Sequence, residues 1–173
     1  IAVVLWNAIT GRQKSAPPAG AVKFTPLTDQ AGWECFPSLS PDGKSFVYAG
    51  RPAGNWDIYF QRVGGRNPIN LTKDSPADDI QPAFSPDGES IAFRSERDGG
   101  GIFIMGATGE SVRRLTDAGY NPAWSPDGRE IVYATEYFIQ PGVRNTTSQL
   151  WAVVASSGER RLINPGDAIQ PSW

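Results

Sequence analysis

The tetrapeptide Ser-Pro-Asp-Gly occurs three times, at residues 40–43, 85–88 and 125–128. Each copy follows a proline and two further residues: Pro37-Ser38-Leu39, Pro82-Ala83-Phe84 and Pro122-Ala123-Trp124. A fourth such opening, Pro171-Ser172-Trp173, ends the chain. A second marker keeps step with the first: Leu27-Thr28, Leu71-Thr72, Leu115-Thr116 and Leu162-Ile163. Two markers with one period of roughly 40–50 residues belong either to propeller blades or to helical repeats. The 19 glycines and 15 prolines in 173 residues, with short β-rich runs between them, exclude the helical option.

Each unit reads as four strands. In the second unit they are Gln81 to Ser85, Glu89 to Ser95, Ile102 to Met105 and Ser111 to Thr116. The first unit repeats this with Lys44 to Ala49, Trp56 to Arg62 and Pro68 to Thr72. The third has Arg129 to Thr135, Leu150 to Ala155 and Arg160 to Ile163. The middle strands carry consecutive apolar residues: Phe46-Val47-Tyr48, Ile91-Ala92-Phe93 and Ile131-Val132-Tyr133. A sheet with one wet face would alternate instead, so both faces of each sheet are expected to be buried. Stacked propeller blades require this. The expected fold is all-β: a β-propeller of about three four-stranded blades, with partial blades on either side. The blades are expected at about 36–72, 81–116 and 121–163, with a fourth starting at 169.

The tetrapeptide explains itself locally. Proline presets φ for the first central turn position, and glycine takes the left-handed position that closes the hairpin. The carboxylate between them can accept backbone N–H bonds. Asp42, Asp87 and Asp127, with Gly43, Gly88 and Gly128, are therefore expected to be turn-formers rather than catalytic groups. Val22 to Thr28 matches the fourth strand of a preceding blade and is expected to act as a closing strand.

Composition narrows the function. The chain has no histidine, so it offers no Ser-His-Asp or Cys-His dyad and no histidine-based metal site. Catalytic residues, cofactors and metals are not expected. The single Cys35 cannot form an internal disulfide and reads as a small buried hydrophobe. A formal net charge of -2 gives no general attraction to nucleic acid. Ile1 to Trp6 is an apolar run far shorter than the ~20 residues that span a bilayer. It reads as the outer end of a transmembrane helix covering 1–10, with 11–21 as a Pro/Ala linker and 22–173 as propeller. The competing reading is a stray strand of an earlier domain.

Strand parity puts the turns between strands two and three, and between successive blades, on one rim. That rim holds ten of the 18 acids: Asp29, Glu34, Asp74, Asp78, Asp79, Glu96, Asp98, Asp117, Glu136 and Asp167. Its bases are Arg51, Lys73, Arg97 and Arg144. An acidic rim argues for a basic peptide, a protein or a small cationic ligand as partner. Glu34 and Asp79, each three residues before a blade proline, are expected near the mouth of the central channel. Tyr120 lies on the same rim. The segment 136–149 is longer than its counterparts by about ten residues, and insertions on one rim often carry recognition. Its Tyr137 and Phe138 offer an apolar contact.

These motifs resemble the WD-like propeller repeats of the TolB type, over roughly Val22 to Trp173. The resemblance implies a propeller such as those of periplasmic TolB proteins, of prolyl-oligopeptidase-like peptidases outside their catalytic domains, and of bacterial membrane regulators. The order of apolar end, Pro/Ala linker and propeller is most similar to the extracytoplasmic parts of bacterial receptor-type Ser/Thr protein kinases. It is also similar to membrane-bound winged-helix transcription regulators. That resemblance implies a sensor on the extracytoplasmic side of the cell membrane, with its cytoplasmic domain ahead of Ile1, in a natural protein longer than this chain. Three blades and a fragment would leave two blade faces open, so the chain alone is expected to be marginally stable.

Overall fold

The structure, a computed structural model, describes residues 24–52, 54–137 and 146–173. Twelve strands form three antiparallel sheets of four. The first blade comprises β1 (Trp33–Leu39), β2 (Ser45–Arg51), β3 (Asp57–Arg62) and β4 (Ile69–Asn70). The second comprises β5 (Asp79–Phe84), β6 (Ser90–Ser95), β7 (Gly101–Gly106) and β8 (Arg113–Arg114). The third comprises β9 (Tyr120–Trp124), β10 (Glu130–Ala134), β11 (Leu150–Val154) and β12 (Arg160–Asn164). Each sheet is a simple meander in chain order.

The consecutive apolar residues of β2, β6 and β10 are buried on both faces. Val47, Ala49 and Ile58 of the first blade form one core with Ile91, Phe93, Phe103 and Met105 of the second. Ala92 and Ile102, on the other face of the second blade, form a second core with Ile131, Tyr133 and Val153 of the third. The blades thus stack face to face, and burial of these side chains drives the stacking.

The three tetrapeptide turns are built alike. The serine hydroxyl donates to the aspartate Oδ1 at 2.7 Å (Ser40 to Asp42), 2.5 Å (Ser85 to Asp87) and 2.6 Å (Ser125 to Asp127). The same Oδ1 accepts the backbone N–H of Lys44, Glu89 or Arg129 at 3.0–3.1 Å. Gly43, Gly88 and Gly128 have φ of 68°, 76° and 70°, which glycine adopts without steric cost.

The Leu-Thr marker has a different cause. Thr72 Oγ1 accepts the N–H of Ile58 at 3.0 Å, and Thr116 Oγ1 accepts the N–H of Ile102 at 2.8 Å. A hydroxyl thus replaces the backbone partner at the start of the third strand, and the fourth strand can be short. β4 and β8 have two paired residues, fewer than the runs 68–72 and 111–116 suggest. The third blade carries Ile163 in place of threonine, and β12 stays paired as far as Leu150–Asn164.

The innermost strands begin earlier than expected. The residue before each blade proline is left-handed although none is glycine: Phe36 (φ 54°), Gln81 (55°), Asn121 (53°) and Gln170 (54°). The ladders shift register between Cys35 and Ser38 and between Ile80 and Ala83. This β-bulge carries the proline, which has no N–H to give, past the ladder and lets the strand resume before it. Glu34, Asp79 and Tyr120 therefore lie in strands, opposite Gly50, Ser95 and Ala134, and not in rim loops.

Phe24 to Thr28 forms no strand. A fourth strand needs a third strand beside it, and none lies there among the described residues. The segment instead rests on the first blade through the Gln61 side chain, which donates to the Leu27 carbonyl at 2.9 Å. Residues 169–173 are not a strand either, but Trp173 Nε1 donates to the Ala123 carbonyl at 3.1 Å. Trp124 Nε1 reaches the Ala83 carbonyl of its own preceding blade in the same way, at 3.0 Å. The run 1–10, the linker 11–21, Phe138 and most of the long 136–149 segment fall outside the described residues. Among those described, no helix is long and apolar enough to cross a membrane.

Candidate functional site

Several of the rim acids are consumed by the fold. Asp79 is fully buried, and its Oδ2 accepts from Arg97 Nη2 at 2.7 Å. Arg97 also donates to Ser75 Oγ at 2.8 Å and lies over the rings of Phe93 and Phe103. Asp79 thus sits beneath the rim and not at an open channel mouth. Burial pushes its carboxyl above the usual range, partly offset by hydrogen bonds and by the Arg97 charge. Asp78 accepts the N–H of Trp56 at 2.9 Å, which ties the first blade to the linker into the second. Asp167 accepts the N–H of Ser148 at 2.9 Å in the corresponding place of the third blade. Asp117 is held by Arg160, which keeps its carboxyl low.

The aromatic contacts are also internal. Tyr120 and Tyr137 stack with centroids 5.5 Å apart. The buried Arg94 guanidinium covers the Tyr120 ring from the second blade, 4.6 Å from its centroid, and pairs with Glu96 at 2.7 Å. Tyr137 therefore packs on its own blade, and burial raises its phenol above the ordinary value. Near the axis, the pre-proline side chains meet across blades: Gln81 donates to Asn121 Oδ1 at 2.6 Å and accepts the Asn121 N–H at 2.8 Å. Neither this amide pair nor the roles of Arg94 and Arg97 could be read from the repeat. These residues vary between blades at equivalent positions, so periodicity carries no signal for them.

What remains open is a groove of about 630 Å³ along the outer edge of the seam between blades 1 and 2. Asp74, Glu96 and Asp98 line it, with Pro76 and Val112 as its apolar part. Asp74 and Asp98 are exposed and carry no ion pair among the described residues. Arg97 is the base in the groove, and its guanidinium is committed to Asp79 and Ser75. The groove therefore presents net negative charge. Asp98 sits in a 3₁₀ turn, Arg97–Gly99, with φ 51°, and is exposed. Among the described residues no group of three or more His, Cys, Asp or Glu could hold a metal ion. Cys35 packs against the first core, and burial pushes its thiol up to about 11.

Sheets stacked by their faces, with a turn motif repeated once per sheet, define a β-propeller unit. The TolB beta propeller domain family matches residues 21–173, and the chain belongs to that family. It is 31% identical over 159 residues to dipeptidyl-peptidase 5 of Porphyromonas gingivalis, covering 82% of this chain and 22% of that protein. It is 34% identical over 109 residues to an uncharacterized peptidase of Bacillus subtilis, YuxL, covering 56% of this chain and 16% of that protein. Among solved structures, a TolB-type protein of Agrobacterium tumefaciens superposes with a TM-score of 0.69 at 26% identity, over 84% of this chain and 55% of the other. TolB of Acinetobacter baumannii superposes with 0.62 at 27% identity, over 81% and 34%. The chain thus spans roughly a sixth to a half of the length of these relatives.

Proposed function

We propose that this propeller is a non-catalytic binding module that takes a basic segment of a protein partner in the groove between its first two blades. The supporting observation is the groove's charge. Asp74 and Asp98, which carry no ion pair among the described residues, line it beside Glu96, which Arg94 holds, while the Arg97 guanidinium is spent on Asp79 and Ser75. A negative concavity favours cationic side chains and repels phosphate-bearing ligands, nucleic acid included.

In the fuller form of this proposal, the module is the extracytoplasmic sensor of a membrane-bound bacterial regulator such as a Ser/Thr protein kinase. The apolar run Ile1 to Trp6 would hold it to the cell membrane. The order of apolar run, Pro/Ala linker and propeller supports this reading. A second reading, the propeller of a prolyl-oligopeptidase-like peptidase, is favoured by the two peptidase relatives. A TolB-like periplasmic interaction factor is favoured by the structural relatives.

The groove is tested with a lysine- and arginine-rich peptide at low and high salt. The double variant Asp74→Asn/Asp98→Asn should weaken binding about ten-fold at low salt and flatten its salt dependence. Unchanged binding would overturn the groove reading. Kinase motifs encoded ahead of Ile1 would support the sensor form, and a Gly-x-Ser-x-Gly element encoded after Trp173 would support the peptidase form.

A further inference from the structure

Arg97 lines the groove between blades 1 and 2 but does not turn its charge into it. Its Nη2 donates to Asp79 Oδ2 at 2.7 Å, and its Nε donates to Ser75 Oγ at 2.8 Å. The guanidinium carbon lies 5.7 Å from the centroid of the Phe93 ring and 6.0 Å from that of Phe103. Both rings belong to the core that the two blades share. The Arg97 side chain is 20% exposed and that of Asp79 is 0% exposed. Asp79 does not line the groove; it lies behind the groove wall and meets Arg97 there.

Other acids surround Arg97 on the groove side. Glu96 precedes it and Asp98 follows it in the chain, and Asp74 precedes the Ser75 that anchors its Nε. All three acids line the groove. Glu96 is already paired with Arg94 at 2.7 Å, whereas Asp74 and Asp98 are exposed and carry no ion pair among the described residues. A guanidinium that loses its buried carboxylate is left partly desolvated without a charge partner. It gains by turning outward on its flexible stem, toward water and toward Asp74 and Asp98. Counted from the Ser-Pro-Asp-Gly turns, Glu34 and Gly119 stand at the position of Asp79, and Pro52 and Tyr137 at that of Arg97. Among the described residues the acid–arginine pair therefore occurs at these positions in blade 2 alone, beside the groove, and the fold of a blade does not require it.

We infer that Asp79 is a specificity-determining residue of the groove: it holds the Arg97 guanidinium inward, away from Asp74 and Asp98, and so keeps the groove selective for a cationic segment. The carboxylate does this from beneath the surface, without touching the occupant. The inference rests on the reading of the groove as a site for a basic segment. It adds that a buried residue outside the lining sets the sign of the groove. Neutralising Asp79 and neutralising Arg97 must then act on binding in different directions. A pair that served stability alone would show no such asymmetry, because removing either partner would loosen the same seam.

The test measures binding of the lysine- and arginine-rich peptide to the 173-residue chain at low salt, with folding checked by amide dispersion. Asp79→Asn should weaken binding about five-fold, because the released Arg97 offsets one groove acid. Arg97→Gln should bind no more weakly than the parent. Asp79→Asn/Arg97→Gln, which leaves two neutral hydrogen-bonding side chains in place of the pair, should return to the parent's affinity. A further readout needs no variant: the Arg97 Nε proton of the parent, held by Ser75, should exchange slowly with and without peptide. Three results would overturn the inference: weakening by both single variants, unchanged affinity in Asp79→Asn while Asp74→Asn/Asp98→Asn weakens binding, or fast exchange of the Arg97 Nε proton in the parent. Unchanged affinity in Asp74→Asn/Asp98→Asn would overturn the groove reading itself, so that variant tells the two failures apart.

Discussion

The Asp79 carboxylate and the Arg97 guanidinium meet at 2.7 Å beneath the rim, with the acid fully buried and the base one-fifth exposed. Removing one partner of such a pair leaves an uncompensated buried charge. Arg97→Ala should therefore cost about 3–5 kcal/mol at neutral pH by denaturant titration. Burial already raises the Asp79 carboxyl above its unfolded value, so its contribution to stability is greatest in acid and declines as pH rises through the raised value. Without Arg97 that decline steepens. The deficit of the variant should shrink as the pH is lowered toward 4, and a deficit independent of pH would contradict the assignment.

The turn aspartates respond in the opposite sense. Hydrogen bonds from Ser40, Ser85 and Ser125 hold the carboxyls of Asp42, Asp87 and Asp127 below the ordinary range. Their stabilisation is present above the unfolded carboxylate value and is lost as pH falls through the lowered folded values. The triple variant Ser40→Ala/Ser85→Ala/Ser125→Ala should flatten the acid limb of the stability profile. An acid limb identical to the parent's would contradict this.

The threonine marker predicts a difference between blades. Thr72→Val keeps the shape but leaves the Ile58 N–H unpaired in the interior, which should cost about 1–3 kcal/mol. Thr116→Val should behave alike through Ile102. Ile163→Thr in the third blade should gain nothing, because β12 already pairs through Asn164. Thermal or chemical unfolding of the three variants decides.

Phe93 is fully buried at the seam between the first two blades. Phe93→Ala should cost about 3–5 kcal/mol. Since the core it leaves is shared by both blades, they should lose hydrogen-exchange protection together. Loss confined to the second blade would show that the sheets are not energetically joined.

The second and third strands and the three turns were legible because they follow from local chemistry repeated once per blade. Phe46-Val47-Tyr48 announces burial on both faces, and Ser40 to Gly43 announces a hairpin. The inner strands begin earlier than the sequence suggests because a left-handed residue before proline, such as Gln81, runs against the usual extended preference at that position. Glu34 and Asp79 consequently lie in strands and not in rim loops. The site was less legible than the fold. Whether a rim acid is free depends on single long-range partners such as Arg97 for Asp79, or on a neighbour's backbone such as Trp56 for Asp78, and neither leaves a mark in the repeat. Asp98, by contrast, lies in an exposed turn of its own.

Face-to-face stacking of the sheets is tested most directly by nuclear Overhauser effects between side chains of different blades. Cross-peaks are predicted between the methyls of Val47 or Ile58 and the rings of Phe93 or Phe103, and between the Ile102 methyls and the Tyr133 ring. Their absence, together with backbone cross-peaks joining β4 to β5 in one continuous flat sheet, would contradict the account.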